Sequence, residues 1–448
     1  MFYENSNVAM TLPRIKKYIE VFEREQLPRL KKLKAYFDGN NSTILQRAAT
    51  DVTLPNWQIA NPWANYISNV TSNYFIGKGC TYNASDEQML TDINAILKYN
   101  DEMACNNSLA LNQSIYGYAV ELMYMDANID VRFTALDNQQ VIIIFDNTLE
   151  ASLLYCIRFY YTTDIMLHHK KILNVELYSR SNIQYFTEIQ SKLTLVDTIP
   201  HYFKDCPVIV YKNNSDNVGD YEKLLPLIDA YDVLTSDSLN EKEYFNEAYL
   251  WFKNCGLSDK DIIEMKKTRV IVTEDGSDDG AGSSNISWLM KNGNPTEAES
   301  NKARVENDIH KFSFVEDMSG SAAKSHTSAT QARLSMLGLE QLMATKESNF
   351  RFGLTRRIEL ICNILSLKGT SYNFTDISIS FIRNIPVDTV VIADTISKLR
   401  GLVSDETLIE QLPFVVDVEQ EKQRLLKQNE LNSYNLFTDL GGDITNEQ

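Results

Sequence analysis

The chain has 448 residues, 44% of them hydrophobic and 23% charged, enough apolar material for roughly two to four globular domains. Its net charge of −17 excludes a protein that grips nucleic acid through an overall basic surface, because such a surface would have to neutralise phosphates. Six scattered cysteines, Cys80, Cys105, Cys156, Cys206, Cys255 and Cys362, form no close pairs, which argues against a disulfide framework or a zinc site and fits a reducing compartment.

The start, MFYENSNVAM, lacks a basic segment followed by an apolar one, so no signal peptide is expected. Residues 12–37 read as a helix with Pro13 in its first turn, where a missing N–H costs little. Residues 11–37 hold eight basic side chains (Arg14, Lys16, Lys17, Arg24, Arg29, Lys31, Lys32, Lys34) and three acidic ones (Glu20, Glu23, Glu25), or +5, which leaves −22 for the rest. That face is either a solvated amphipathic surface or a docking surface for an acidic partner. Residues 61–79 read as a second helix on Trp63, Ile67, Val70 and Tyr74, stopped by Gly77 and Gly79. A third helical run covers 86–115. From 116 to 211 the pattern turns to short β-rich segments at 118–126, 141–146, 153–161, 172–179 and 206–212. Helices followed by an antiparallel sheet make this an α+β region. The longest apolar run, VIIIF at 141–145, is too short to cross a bilayer.

Residues 221–254 read as a helix with an apolar stripe (Leu224, Leu225, Ile228, Tyr231, Leu234, Phe245, Trp251) and an acidic face (Glu222, Asp229, Asp232, Asp237, Glu241, Glu243, Glu247). An insert of about forty residues follows: helix 258–267, strand 269–273, an acidic Gly/Ser tip and strand 286–290. A helix restarts near Pro295. After the small-residue loop 316–330, a long helical pattern runs from about 328 to 368, roughly 60 Å if straight. Its stripe, Leu334, Leu337, Leu342, Phe350, Leu354, Ile358, Ile361 and Leu365, suits either the core of one copy or an interface between copies. Gly338 and Gly353 make kinks there plausible, each costing about 1 kcal/mol against alanine. Residues 371–385 read as a strand returning to the sheet, and 387–429 as helix.

Candidate chemistry is sparse. Asp275, Ser277, Asp279 and Gly280 match positions 1, 3, 5 and 6 of a calcium loop, but position 12 is Ile286 instead of glutamate. A solvated tip is the expectation, and no metal or cofactor is called for. Gly77-Lys78-Gly79 lacks the remainder of a P-loop. His168 and His169 are adjacent and would point to opposite faces of a strand. No catalytic constellation emerges. The loop 316–330 holds six Ser/Thr, three Ala and one Gly around Lys324 and His326. It is either a flexible connector or a mobile element that touches a sliding surface without sticking to it.

The order of segments resembles the portal proteins of tailed bacteriophages, of the siphophage type. The resemblance rests on YFDGN (36–40), NYISNVTSNYFIGKG (65–79), NQSIYGYAVELMYMD (112–126), LLPLIDAYD (224–232), SDSLNEKEYFNEAYL (236–250), VENDIHKFSF (305–314) and LGLEQL (337–342). It implies an α+β portal fold: a wing at 1–220 (N-terminal helices and antiparallel sheet), a stem helix at 221–255, a small α/β clip at 256–294 and a second stem helix at 295–314. A tunnel loop at 315–330 would follow, then a long kinked wing helix with its returning strand at 331–386 and a helical crown and tail at 387–448. It also implies a non-enzymatic dodecameric ring at one capsid vertex, in the virion and earlier in the host cytoplasm, with no membrane partner. Double-stranded DNA would pass through it non-specifically. Its protein partners would be the terminase large subunit, then a head-completion adaptor, with the major capsid and scaffolding proteins around it. Mapped on this chain, Ser319, Ser321, Lys324, Ser325, His326 and Thr327 would belong to the tunnel loop. Asp229, Asp237, Glu241 and Glu247 are channel-facing candidates, though the acidic face suits outward solvent equally. Lys266, Lys267, Arg269 and Trp288 are candidates for docking partners on the clip. The alternatives are a carboxylate-dependent nucleic-acid enzyme or a scaffold or adaptor without a channel.

Overall fold

In the computed structural model, Pro28 shapes the first helical stretch. The structure describes residues 1–5, 8–49, 55–164, 170–189, 192–246, 249–253, 285–289, 295–317, 336–382, 389–410 and 421–429, with the single positions 412, 415 and 418. Helix α1 (Leu12–Val21) runs through a π-helical turn (Phe22–Gln26) into α2 (Leu27–Phe37). Proline has no N–H to give and would clash with the carbonyl four residues back. The chain relieves this by widening one turn, and the Leu27 N–H donates to the Phe22 carbonyl. The helix survives, and Ile15, Ile19, Phe22, Leu30 and Leu33 stay buried on one side.

Two units form. One comprises residues 1–34, 66–222 and 314–448, the other residues 35–65 and 223–313. In the first, strand β1 (Phe2–Glu4) lies parallel to β5 (Val141–Asp146). Strands β6 (Leu153–Asp164), β7 (Lys170–Tyr178), β8 (Asn182–Ile189) and β9 (Lys192–Pro200) continue the sheet antiparallel, in the order β1-β5-β6-β7-β8-β9. Every residue of β5 is buried, whereas β9 is exposed over most of its length. A three-stranded sheet orders β10 (Val208–Lys212), β3 (Tyr118–Met125) and β4 (Val131–Leu136).

The single helix expected at 86–115 is two: α5 (Glu87–Tyr99) and α6 (Glu102–Tyr116). Asn100 breaks it. Its amide donates to the Ile96 and Val131 carbonyls and accepts from the Phe133 N–H, so the helix end is tied to β4, and Asp101 takes a left-handed turn (φ 50°). Helix α6 stops at Gly117, whose φ is +84° and whose Cβ, if present, would lie 2.0 Å from the Asn217 carbonyl oxygen. Both facts demand glycine. The strand expected to rejoin the sheet near 371–385 is shorter, β13 (Ile377–Phe381). It pairs antiparallel with β2 (Cys80–Ala84) in a two-stranded sheet of its own.

The long helix is α9 (Leu337–Leu367); residues 328–335 of the expected span lie outside the described residues. Phe350, Leu354, Ile358, Ile361 and Leu365 are buried in the core of this unit with Phe75, Phe133, Ile209 and Tyr211, which decides the stripe's role at these positions in favour of core. The helix is continuous through Gly353. The glycine serves a close approach: a Cβ there would sit 2.3 Å from the Tyr211 ring. Short helices α10 (Thr389–Leu399) and α11 (Asp405–Glu410) stand where one helical region was expected.

In the second unit, α3 (Ser42–Leu45) packs on α7 (Leu225–Asn246). The helix expected to reach 254 ends earlier, because YLWFK has better partners as a strand. Strand β11 (Tyr249–Lys253) pairs antiparallel with β12 (Asn285–Leu289), Tyr249 opposite Leu289 and Lys253 opposite Asn285. Helix α8 (Pro295–Ser313) then packs on α7. The Trp63 ring meets Tyr231, near the start of α7, and His310, near the end of α8, edge to face at 5.4 and 5.2 Å. The two helices therefore run antiparallel.

Candidate functional site

The acidic side of α7 is organised by helical spacing. Residues 229, 232, 236, 240 and 243 recur every three or four positions and so share one face. That face holds the extended segment before Trp63. Asp229 accepts hydrogen bonds from the Tyr36 hydroxyl (2.7 Å) and the Thr43 hydroxyl (3.3 Å). Burial pushes the Tyr36 hydroxyl up to about 12, with Thr43 opposing that shift and Asp229 reinforcing it. The fully buried Asp232 accepts from the Asn61 N–H (2.9 Å), the Asn61 amide (2.8 Å) and the Asn41 amide (2.7 Å). Burial raises the Asp232 carboxyl above its ordinary value, and the hydrogen bonds from Asn61 and Asn41 hold it back. Ser236 accepts from the Ile59 N–H and donates to the Asp232 carbonyl. Asp237 pairs with Arg47 at 2.5 Å, Asn240 accepts from the Trp57 N–H at 2.6 Å, and Glu243 accepts from the Trp57 indole.

Of the channel-facing candidates, Asp229 and Asp237 are thus engaged by their own unit, and Glu241 is exposed. Glu297 and Glu299 on α8 are exposed as well. Glu247 lies outside the described residues. So do the loop residues Ser319, Ser321, Lys324, Ser325, His326 and Thr327, the docking candidates Lys266, Lys267 and Arg269, and the acidic tip. Trp288 lies in β12, opposite Leu250.

Two buried cations on α9 were not singled out in the sequence. Arg357 is fully buried, with Nη2 2.7 Å from Glu121, Nη1 3.5 Å from Glu102 and a 2.8 Å hydrogen bond to Asn106. Its guanidinium lies 4.5 Å over the Phe133 ring. Glu121 also accepts from the Tyr211 hydroxyl at 2.7 Å. Burial disfavours the Arg357 charge, but Glu121, Tyr211, Tyr82 and Cys105 together outweigh it and hold the guanidinium pKa well above the ordinary value. Three turns earlier, Lys346 pairs with the buried Asp220, which also accepts from Thr71 (3.0 Å), Ser114 (2.6 Å) and Asn213 (2.9 Å). The signal was present: both cations interrupt an otherwise apolar stripe (Leu339, Met343, Phe350, Leu354, Ile358, Ile361). A charge in such a stripe needs a buried partner.

Neither arrangement is a reaction centre. Among the described residues, no group of three or more His, Cys, Asp or Glu side chains could hold a metal ion, and no helix is long and apolar enough to cross a membrane. Burial pushes the Cys105 and Cys206 thiols up to about 12 and Cys362 to about 11, so these sulfurs are poor nucleophiles at neutral pH. Both arrangements use charge to hold helices in place.

Comparison with known families supplies the rest. A family model for "Phage portal protein, SPP1 Gp6-like" matches residues 16–433. The chain belongs to that family. The portal protein of Bacillus phage SPP1 is 22% identical over 439 residues, covering 92% of this chain and 84% of the relative. The portal protein of Clostridium phage phiCD119 is 22% identical over 332 residues, covering 69% of this chain and 70% of the relative. The family is structural and not enzymatic, so the chain is a portal protein of a tailed phage and a component of its capsid. The mixed helix and strand content fits the α+β portal fold.

Proposed function

We propose that copies of this chain close into a dodecameric ring at one capsid vertex and that double-stranded DNA passes along its axis during packaging and ejection. The family match across residues 16–433 carries this reading. Residues 221–255 and 295–314, with the antiparallel pair α7 and α8, would be the stem, 256–294 the clip, and 315–330 the tunnel loop. The terminase large subunit would dock on the clip through Lys266, Lys267, Arg269 and Trp288, and a head-completion adaptor would later replace it. The chain would reside in the host cytoplasm until assembly.

The charge suits a conduit that must not hold its cargo. One exposed carboxylate about 10 Å from a phosphate contributes only about 0.4 kcal/mol of repulsion in water before screening. Repeated around a ring, Glu241, Glu297 and Glu299 would form bands of like charge. Without a basic groove, counterion release is small and there is no sequence-reading grip. Lys324 would then be a single phosphate contact per copy. Negative-stain images and mass photometry of the purified chain test the ring: closed rings support it, and a single-copy mass at every salt and concentration refutes it. Lys324→Glu should alter packaged DNA length or packaging rate while rings still form. Unchanged packaging removes the loop from the reading.

A further inference from the structure

The chain is acidic, yet residues 11–37 carry +5 against −22 elsewhere. The apolar side of that stretch is buried through Ile15, Ile19, Phe22, Leu30 and Leu33. Arg29 is also spent within its own unit, on Glu222 at 2.7 and 2.5 Å and on the Asn217 carbonyl at 2.9 Å. Lys16, Lys17, Arg24, Lys31 and Lys32 remain exposed along the outer side. Lys17 and Arg24 sit beside Glu20 and Glu25 of the same stretch in pairs whose side chains are more than half exposed. Lys16 and Lys31 form no ion pair among the described residues.

A ring closed by head-to-tail contacts uses two different surfaces of each copy, and these must fit each other. Copies carrying −17 repel as they approach, so the surfaces that meet need locally opposite charge to steer and fix the encounter. We infer that the exposed ridge Lys16–Lys32 is one half of the contact between copies and docks on the acidic surface of the neighbouring copy. This rests on the ring reading above. The occupant follows from charge complementarity: residues outside 11–37 carry a net −22, and every other copy brings that excess of acid. A duplex fits the ridge less well. Glu20, Glu23 and Glu25 interrupt it, giving alternating patches that match a mixed protein surface, whereas counterion release from DNA favours a continuous run of cations.

Mass photometry over a concentration series tests this with two triple variants of equal charge. K16E/K31E/K32E reverses the ridge. K78E/K171E/K192E reverses three exposed lysines elsewhere in the same unit. The ridge variant is expected to raise the concentration of half-assembly by at least about tenfold, and the control by less than about twofold. Salt dependence alone is not diagnostic, because salt screens the ridge attraction and the overall repulsion together. The neutral triple K16Q/K31Q/K32Q should fall between wild type and reversal, which separates lost attraction from misfolding; thermal melts of the single copies should match. If wild type forms rings and the two reversals behave alike, the ridge assignment fails while the ring reading stands. If the ridge variant assembles normally but loses retention of a short DNA duplex, the ridge is a phosphate contact and the assignment is wrong. If wild type itself stays single, the ring reading fails and takes the ridge with it.

Discussion

Helices α7 and α9 both set charge against a helical stripe, and they use it in opposite ways. Helix α7 places acids on its polar face, where they bind side chains and backbone spread between Tyr36 and Asn61. Asp237 and Arg47 there remain 48% and 36% exposed. Helix α9 places Lys346 and Arg357 on its apolar face, where each is completely enclosed with its carboxylate. Exposed pairs contribute little and exchange with water at small cost. A buried cation that loses its partner leaves an uncompensated charge behind. The first device fastens its neighbours residue by residue, through the enclosed Asp232 and the half-exposed Asp237 pair. The second fixes the axial and rotational register of a long helix, since sliding by one residue would strand both cations at once.

That contrast can be broken most severely at Arg357. Arg357→Ala leaves Glu121 buried and unpaired, and should cost about 3–5 kcal/mol in denaturant unfolding. The double change Arg357→Met with Glu121→Gln should recover much of that loss; equal damage from both would show that the pair itself is not the issue. Gly353→Ala comes next. Alanine favours a helix by about 1 kcal/mol, but its methyl group meets the Tyr211 ring, and overpacking of about 1–3 kcal/mol should make the change destabilising by the same measurement. A neutral or stabilising outcome would remove the close-approach explanation for that glycine.

On α7, Asp232→Ala should cost about 1–3 kcal/mol by leaving the Asn61 and Asn41 donors unmade. Hydrogen exchange would localise it, with faster exchange at 59–61 and none of the change at 339–365. A spread of the effect into α9 would contradict the local character assigned to this contact. The smallest effect concerns His201, whose Nε2 donates to the Ser179 carbonyl at 2.8 Å and whose buried Nδ1 has no partner. Burial lowers its pKa below the ordinary 6.5, opposed by the Ser179 carbonyl. The folded state therefore binds this proton less readily than the unfolded state. Its contribution is present above pH 6.5 and fades as pH falls through the folded-state value. The unfolding midpoint should drop slightly over that window in wild type relative to His201→Gln; parallel curves would refute the assignment.

Much of this was legible beforehand. Strand β5 was visible because VIIIF needs cover on both faces, α4 (Trp63–Ile76) because its apolar residues recur at helical spacing, and α8 from the proline that opens it. Strands β8 and β9 were missed. Most of β9 is exposed, so it owes its order to backbone pairing with β8. Within the candidate site, Asp229 and Asp237 were noticed as charge, but their partners lie some 190 residues away in sequence, and no local pattern announces a pairing of that range.

The sequence alone determined much of the succession of helices and strands, the excess of acid with its basic N-terminal exception, and the resemblance to a family, because period, composition and order are local or additive properties. Only the tertiary structure decided that β13 pairs with β2, that Gly353 makes room for a ring, and that Lys346 and Arg357 find Asp220 and Glu121. Each depends on bringing distant residues within a few ångströms, and the cost of a bare charge or a misplaced methyl group exists only once water has been excluded around it.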